Sequence, residues 1–551
     1  MGEAIRSYAE TYAAFDAEAA ERAILGDPGA VLNAAALCCD RHCGADRMAL
    51  NAVSCDGSRR RYTFEELKDL SDRFAQVLRG NGVAAGDVVA ALLPRIPELF
   101  VTALAVWRLG AIYQPLFTAF GPRAIEHRVK QSGARVIVAD AGQRAKLDDV
   151  RHDAKVVTVV GEGAPVPQGD LDFHAEIAGR SPGLDPVARA PNDPFLIMFT
   201  SGTTGPSKGL LVPLRAIASF AGYMTLAVGL RPEDRYWNIA DPGWAYGLYY
   251  AVIGPLALGH ETLIYNGPFS VESTVSVIVD HGITILAGAP TAYRMLVAAG
   301  PDALAPVRGR LRVVSSAGEP LNPEVIRWFA RHLDVAIHDH YGQTEMGMVL
   351  CNHHGLDHPV HLGAAGYSVP GFRVAVVSDG HEELAPGIPG NLAVELTRSP
   401  FFWFTGYLGR ETERLGSRYY ITGDSAELNE DGSISFVGRA DDVITSAGYR
   451  IGPFDLESAL VEHPAVVEAA VIGKPDPERT EIVKAFVVLQ DGVAPSDKLA
   501  EELAAHVKAR LSAHAYPREV EFAESLPKTP SGKIQRFILR NQEVAKAAAN
   551  V

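Results

Sequence analysis

The chain has 551 residues, 47% of them hydrophobic and 21% charged. That balance excludes a mostly disordered polymer, and at about 150 residues per unit it predicts two to four domain-sized pieces. Fifty-one basic against 66 acidic residues leave a net charge of −15. This argues against a protein that coats nucleic acid, but a local cradle can still oppose the global field around an anionic ligand.

The N-terminal run MGEAIRSYAETYAAFDAEAAERA carries acids throughout and no apolar stretch, so neither a secretory signal nor an acid-poor transit peptide is expected. The cysteines Cys38, Cys39, Cys43, Cys55 and Cys351 are few and odd in number, which predicts no disulfide framework and a reduced, cytoplasmic setting. Cys38, Cys39, His42 and Cys43 have spacings that could bind metal, yet no second ligand pair follows, and VLNAAALCCDRHC reads better as a helix with a face of small residues.

From about residue 60 to 440, short apolar runs alternate with amphipathic stretches. VVAALLP (88–94) precedes ELFVTALAVWRLG, RVIVAD (135–140) follows IEHRVKQSG, TILAGAP (284–290) precedes TAYRMLVAAG, and LRVVSSAGEP (311–320) precedes NPEVIRWFARHL. The alternation predicts parallel sheets covered by helices. The run from Pro242 to Gly259 has 18 residues without a charge, but Pro255 and its glycines predict a buried core segment rather than a membrane span. Residues 370–437 hold short strands split by Gly, Pro and Asp turns, as in a small antiparallel barrel. A polar GRADD run near Gly438–Asp442 predicts a boundary. Beyond it lie a helix (Pro453 to Glu462), strands VVEAAVIG and VKAFVVLQ, and a helix at about 496–512. The fold class is α/β: residues 1–438 form a large domain of helix-covered sheets with a small β-barrel part, and residues 439–551 a smaller α+β domain. Internal repeats are not evident.

The chemistry-bearing runs sit after expected strands, where parallel sheets place ligand loops. Thr200-Ser201-Gly202-Thr203-Thr204-Gly205-Pro206-Ser207-Lys208 follows FLIMF. Small residues let backbone approach an anion, hydroxyls and amides can donate to phosphate oxygens, and Lys208 adds charge. It is not a Walker loop, because Ser207 stands where the second glycine belongs. Ser316-Ala-Gly-Glu-Pro320 follows LRVVS, Asp339-His-Tyr-Gly-Gln-Thr-Glu345 follows DVAIH, and Tyr420-Ile-Thr-Gly-Asp424 ends in a carboxylate.

Together, and in this order, these motifs resemble the adenylate-forming enzymes: acyl-CoA synthetases, peptide-synthetase adenylation domains and luciferases. The resemblance covers about residues 45 to 540 and is strongest toward short- and medium-chain acyl-CoA synthetases. It implies that Thr200, Ser201, Gly202, Thr203, Thr204, Gly205 and Lys208 cradle the phosphates of ATP. It implies that Gly318, Glu319 and Pro320 line the adenine, with Tyr341 stacking near it in the run Asp339, His340, Tyr341, Gly342, Gln343. Asp424 would accept the ribose hydroxyls, Thr344 touch the α-phosphate, Glu345 hold Mg²⁺ and Arg439 reach ribose and phosphate. Lys533, in Pro530-Ser-Gly-Lys533, matches the catalytic lysine, which stabilises charge built up as a carboxylate attacks the α-phosphate. Asp441 matches the hinge of a mobile C-terminal domain. Ala447, Gly448 and Tyr449 would then receive coenzyme A, Arg450 would meet phosphate, and Lys508 the nucleotide end of coenzyme A. Related acetyl-CoA synthetases bind a structural Mg²⁺ around the positions of Val461, His463 and Val466. Lys533 also resembles an acetylation site of the family, implying an acetyltransferase and deacetylase as partners. One departure is the loop's Pro206-Ser207, where the family has Pro before its lysine.

The resemblance further implies an acid larger than acetate. Acetate-specific relatives carry a Trp before the Gln of the YGQTE-type motif, where this chain has Gly342, and Trp244, Tyr246 and Gly247 align with the acyl channel. Straight or branched acids of about four to eight carbons are expected. The partners expected are this acid and coenzyme A, with no nucleic acid and no membrane, and a homo-oligomer is compatible. The alternatives are an enzyme loading a carrier protein in trans, a luciferase-type oxygenase, and a non-catalytic nucleotide-binding scaffold. Retention of Glu345, Asp424, Arg439 and Lys533 together weighs against the scaffold.

Overall fold

A computed structural model describes residues 6–27, 32–44, 46–200, 207–439, 442–446, 449–476, 480–511, 515–528 and 534–549. Two large sheets carry the first four-fifths of the chain. One runs Gly209–Pro213, Pro194–Phe199, Ile112–Pro115, Val88–Leu92, Val136–Asp140, Lys155–Val159, Leu171–Asp172 in spatial order. All its neighbours are parallel except the first pair. The other has thirteen strands, and its centre is parallel: Thr262–Asn266, Tyr236–Asn238, Ile285–Gly288, Val313–Ala317 and Ile337–Gln343.

The helices form where the apolar spacing expected them, with local signals at their ends. Phe64–Gly80 opens on a capping box of Thr63 and Glu66 and buries Phe64, Leu67, Phe74, Val77 and Leu78. Pro97–Arg108 and Pro122–Ser132 begin with proline, whose missing amide would be unpaired there anyway, and the second ends on left-handed Gly133. Pro323–Leu333 is capped by Asn322.

The uncharged run after Pro242 is core, as expected: Ala245–Gly247 leads into a π-helical turn, Leu248–Ile253, and then Gly254–Ala257. Among the described residues no helix is long and apolar enough to cross a membrane. A second π-helical turn, Tyr223–Ala227, extends Ala216–Gly222. Such widened turns rotate side chains out of the ordinary helical register and are frequent at functional sites.

Strands form at all four sites expected in 370–437: Val374–Val377, Gly390–Glu395, Tyr419–Leu428 and Ile434–Arg439. They pair antiparallel in that order, with bulges at 391/393 and 425/426 that bend them. Their ladder joins the thirteen-stranded sheet through Ala364–Ser368 and Gly347–Cys351, so Asp424 stands on the same hydrogen-bonded surface as Tyr341. Past residue 442, a separate sheet of Ile444–Ser446, Tyr449–Ile451, Val466–Asp476, Thr480–Leu489 and Glu519–Phe522 packs with Pro453–Val461, Asp497–Arg510 and Arg536–Ala549. It has its own cores, one around Leu456, Leu460, Val471 and Val507. Cys38 and Cys39 are buried, and among the described residues no group of three or more His, Cys, Asp or Glu is placed to hold a metal.

Candidate functional site

Asp424 is the centre of a closed hydrogen-bond set. Tyr341 Oη donates to its Oδ2 at 2.5 Å and Gln343 Nε2 to the same oxygen at 2.8 Å. Gln343 is itself fixed by Thr422 O at 3.0 Å and by Tyr420 Oη at 3.0 Å. Arg439, opposite Asp424 in the ladder, approaches Oδ1 at 3.7 Å. Burial pushes the Asp424 pKa up, while Arg439, Tyr341 and Gln343 pull it down. A buried carboxylate with one oxygen saturated and the other facing a guanidinium keeps acceptor capacity for a pair of hydroxyl donors.

Glu345, 8% exposed, accepts a hydrogen bond from Tyr407 Oη at 2.5 Å on Oε1. Lys208 Nζ sits 5.0 Å from the centre of the same Tyr407 ring. The glycine-rich segment is sewn to this corner by backbone, with Leu408 N–H donating to Gly209 O at 2.9 Å and Thr200 N–H to Lys208 O at 3.0 Å. Lys208 and Glu345, 137 residues apart in the chain, therefore meet across one aromatic ring. Burial raises the Glu345 pKa, opposed mainly by the Tyr407 hydrogen bond. A buried carboxylate whose partner is a neutral hydroxyl is an oxygen donor suited to a hard divalent cation, so Glu345 fits a bound Mg²⁺.

On the opposite face of the strand ends, Glu319 lies 3.3 Å from Arg294 and 3.4 Å from Thr291 Oγ1, which props the 318–320 loop. Asp339 Oδ2 accepts from Leu321 N–H at 3.3 Å, and burial raises its pKa to about 8. Asp339 thus supports that loop. His340 points the other way, with Nδ1 2.6 Å from Tyr223 Oη, and burial holds its pKa well below the ordinary range. The π-helical turns supply this layer: Tyr249 Oη donates to Thr344 O at 3.0 Å and Tyr250 Oη accepts from Met348 N–H at 2.8 Å.

The acyl-channel residues do not form one wall. Trp244 packs against Phe117 and Phe120, at ring-centre distances of 5.5 and 5.3 Å, whereas Tyr246 faces Tyr250 at 6.0 Å. Gly342 requires a correction. A Cβ there would lie 2.1 Å from Gly347 O and 2.7 Å from Met348 Cα, so its hydrogen serves the close approach of two strands and does not open an acyl pocket. Gly247 is alike, with Asp241 O 2.2 Å from where a Cβ would stand.

Residues 201–206, Asp441, Ala447, Gly448 and Lys533 lie outside the described residues, as do the side chains of Tyr449 and Arg450. Lys508 is exposed, 5.0 Å over the Tyr516 ring. His463 closes a turn: its O accepts Val466 N–H at 2.9 Å, its Nδ1 accepts Ala465 N–H at 3.2 Å, and its Nε2 lies 3.3 Å from Glu502. Both ring nitrogens of His463 are thus engaged in the turn and its ion pair, beside Val461 and Val466. Tyr407 and Tyr223 carry no sequence signature, whereas Tyr420 and Thr422 lie within the run 420–424, in which the resemblance gives a role to Asp424 alone.

The profile of the AMP-binding enzyme family matches residues 39–408, and that of the AMP-binding enzyme C-terminal domain matches residues 455–533. The chain belongs to the AMP-binding enzyme family. Within it, the acetyl-coenzyme A synthetase of Bacillus subtilis (strain 168) is 40% identical over 99% of this chain and 97% of its own. The crystal structure of a Brucella canis acyl-CoA synthetase is 57% identical, covers 98% of this chain and 100% of its own, and superposes with a TM-score of 0.80. That of the anthranilate CoA ligase AuaEII, in complex with anthranoyl-AMP, is 26% identical with a TM-score of 0.86 over 97% of this chain and 100% of its own. This AMP-binding enzyme is an AMP-forming acid–thiol ligase that makes acyl-CoA from a carboxylic acid, coenzyme A and ATP with Mg²⁺.

Proposed function

We propose that this ligase works on monocarboxylic acids of about four to eight carbons, small aromatic acids next, at the corner where Lys208, Tyr407, Glu345 and Asp424 converge. The convergence of Lys208 and Glu345 on the Tyr407 ring carries the reading, because it joins the glycine-rich segment to the strand end bearing the other motif residues. The support for acids beyond acetate is the aromatic wall of Trp244, Phe117 and Phe120, since the hydrogen of Gly342 serves the approach of two strands.

Asp424 receives the ribose hydroxyls and Arg439 the ribose and phosphate. Thr200 to Gly205 and Lys208 hold the phosphates, and the 318–320 loop lies along the adenine. Bound at Glu345, Mg²⁺ supplies charge neutralisation on the phosphate oxygens. A carboxylate oxygen attacks the α-phosphorus, the bond to pyrophosphate breaks, and acyl-AMP forms. Lys533 steadies the charge that develops there. The coenzyme A thiolate then attacks the acyl carbonyl and AMP leaves, with Ala447 to Arg450 and Lys508 on its path. We place the domain boundary at residues 438/439 with Asp441 as the hinge between the two half-reactions, the cytoplasm as the setting, and Lys533 acetylation as a control that would remove the needed charge.

The test pairs an acid panel, with and without coenzyme A, with Lys533→Ala. The variant should lose about 10²–10³ of carboxylate-dependent ATP–pyrophosphate exchange yet form thioester from supplied acyl-adenylate. Survival of both half-reactions would dismiss the assignment of Lys533. A loaded carrier protein outperforming free coenzyme A as acceptor would redirect the second step.

A further inference from the structure

Tyr407 stands where two distant stretches of chain are joined. Its backbone bridges to Leu210, its N–H donates to Thr412 Oγ1 at 3.1 Å, and the next amide, Leu408 N–H, reaches Gly209 O at 2.9 Å. Its ring meets Phe404 edge-on, with centres 5.1 Å apart. Pinned at backbone and ring, the side chain presents its face and its hydroxyl at set positions, and each meets a different charge. Lys208 Nζ lies 5.0 Å over the face, and the hydroxyl donates to Glu345 Oε1 at 2.5 Å.

Among the described residues, Lys208 and Glu345 form no ion pair with each other. Opposite charges in direct contact would satisfy one another, and a ligand would first have to part them. The phenol ring acts as a spacer against this. Its π-face attracts the ammonium without using any N–H donor, and its single O–H fills one acceptor position of a carboxylate that has about four. Both charges are thus held in place and still open to a ligand. Lys208 and Tyr407 are partly exposed, which gives a ligand access to this corner.

We infer that Tyr407 is a positioning residue for the metal-bound nucleotide: its hydroxyl orients Glu345, and its ring holds Lys208 while keeping the two charges from neutralising each other. This rests on the proposal above that Glu345 holds Mg²⁺ and Lys208 the phosphates, and deepens it. A group that orients a ligating carboxylate without touching the metal is commonly worth about 10- to 100-fold in metal affinity.

Two substitutions in the full chain separate the hydroxyl from the ring. Tyr407→Phe removes only the hydroxyl, and Tyr407→Leu removes both. Calorimetry measures the Kd for ATP with Mg²⁺ and with the metal chelated, and Mg²⁺ is titrated in the ATP–pyrophosphate exchange at saturating ATP. Tyr407→Phe should weaken binding of ATP with Mg²⁺ about tenfold and raise the half-maximal Mg²⁺ concentration to match, with metal-free ATP binding unmoved. Tyr407→Leu should weaken metal-free ATP binding as well, because Lys208 then loses its seat. Glu345→Gln, measured alongside, tells the two levels apart. If it shifts the Mg²⁺ dependence and Tyr407→Phe leaves that dependence unchanged or tightens it, the inference is overturned and the proposal for Glu345 stands. Equal weakening of both forms of ATP by Tyr407→Phe, the mark of a general structural fault, overturns the inference too. A Glu345→Gln variant with unaltered Mg²⁺ dependence would remove the proposal beneath and this inference with it.

Discussion

On the proposed nucleotide side, Asp424 already has Tyr341, Gln343 and Arg439 around it. On the proposed acyl side, Trp244 packs against the uncharged rings of Phe117 and Phe120. The difference follows what each side must recognise. ATP is the same in every turnover, so its residues can be oriented in advance by the protein's own hydrogen bonds, which spares reorganisation when the ligand arrives. The proposed acid is met by apolar rings, which recognise size and shape and need no such bonds set beforehand.

The contrast breaks most readily at Asp424. Asp424→Asn removes the anionic acceptor and should raise the KM for ATP about tenfold to a hundredfold while the KM for the acid stays nearly constant. Titrating each substrate at saturating levels of the other checks this, and equal movement of both constants would mean the two sides are not separately organised. Next is Gly342, which belongs to the pre-built side. Gly342→Ala should cost about 1–3 kcal/mol of stability in urea unfolding, because the added methyl meets backbone, with the chain-length profile unchanged. A changed profile at undiminished stability would restore the pocket-opening role.

The smallest effect is in pH. Burial holds His338 down to about 4 and His353 to about 3, so their contribution is present above the ordinary histidine range and is lost as pH falls from about 6.5 toward 4. Asp339 has the opposite sign. Its folded pKa of about 8 lies above the unfolded value, so its contribution is whole below about 4 and is lost as pH rises through about 8. Asp339→Asn should therefore remove a fall in the unfolding midpoint of the ligand-free protein between about pH 4 and pH 8, where the folded carboxyl keeps a proton that the unfolded one has lost. An unaltered slope across that window would show that Asp339 is ionised in the folded state.

The α/β alternation was legible because parallel strands buried on both faces read as short apolar runs. The motif loops were legible too, since small residues and single charges at strand ends leave a local pattern. What escaped came from tertiary approach. Tyr407 carries no motif, yet it joins Lys208 to Glu345. Gly342 was noticed for the wrong reason, because a missing side chain looks the same in sequence whether it makes room for a substrate or for the carbonyl of Gly347. The π-helical turns that aim Tyr223, Tyr249 and Tyr250 have no hydrophobic period of their own to betray them.

Arg536, three positions beyond Lys533, grips Glu457 with two hydrogen bonds of 2.9 and 2.6 Å and lies 3.6 Å from Asp442, which Arg540 also engages. Glu457 in turn accepts from Val471 N–H at 2.8 Å. Helix Arg536–Ala549 is thereby bolted at its first turn to the frame of its own domain. Under the hinge proposed at Asp441, this frame turns as one lever, and the ion pairs of Asp442 with Arg536 and Arg540 fasten the helix to the chain just past the pivot.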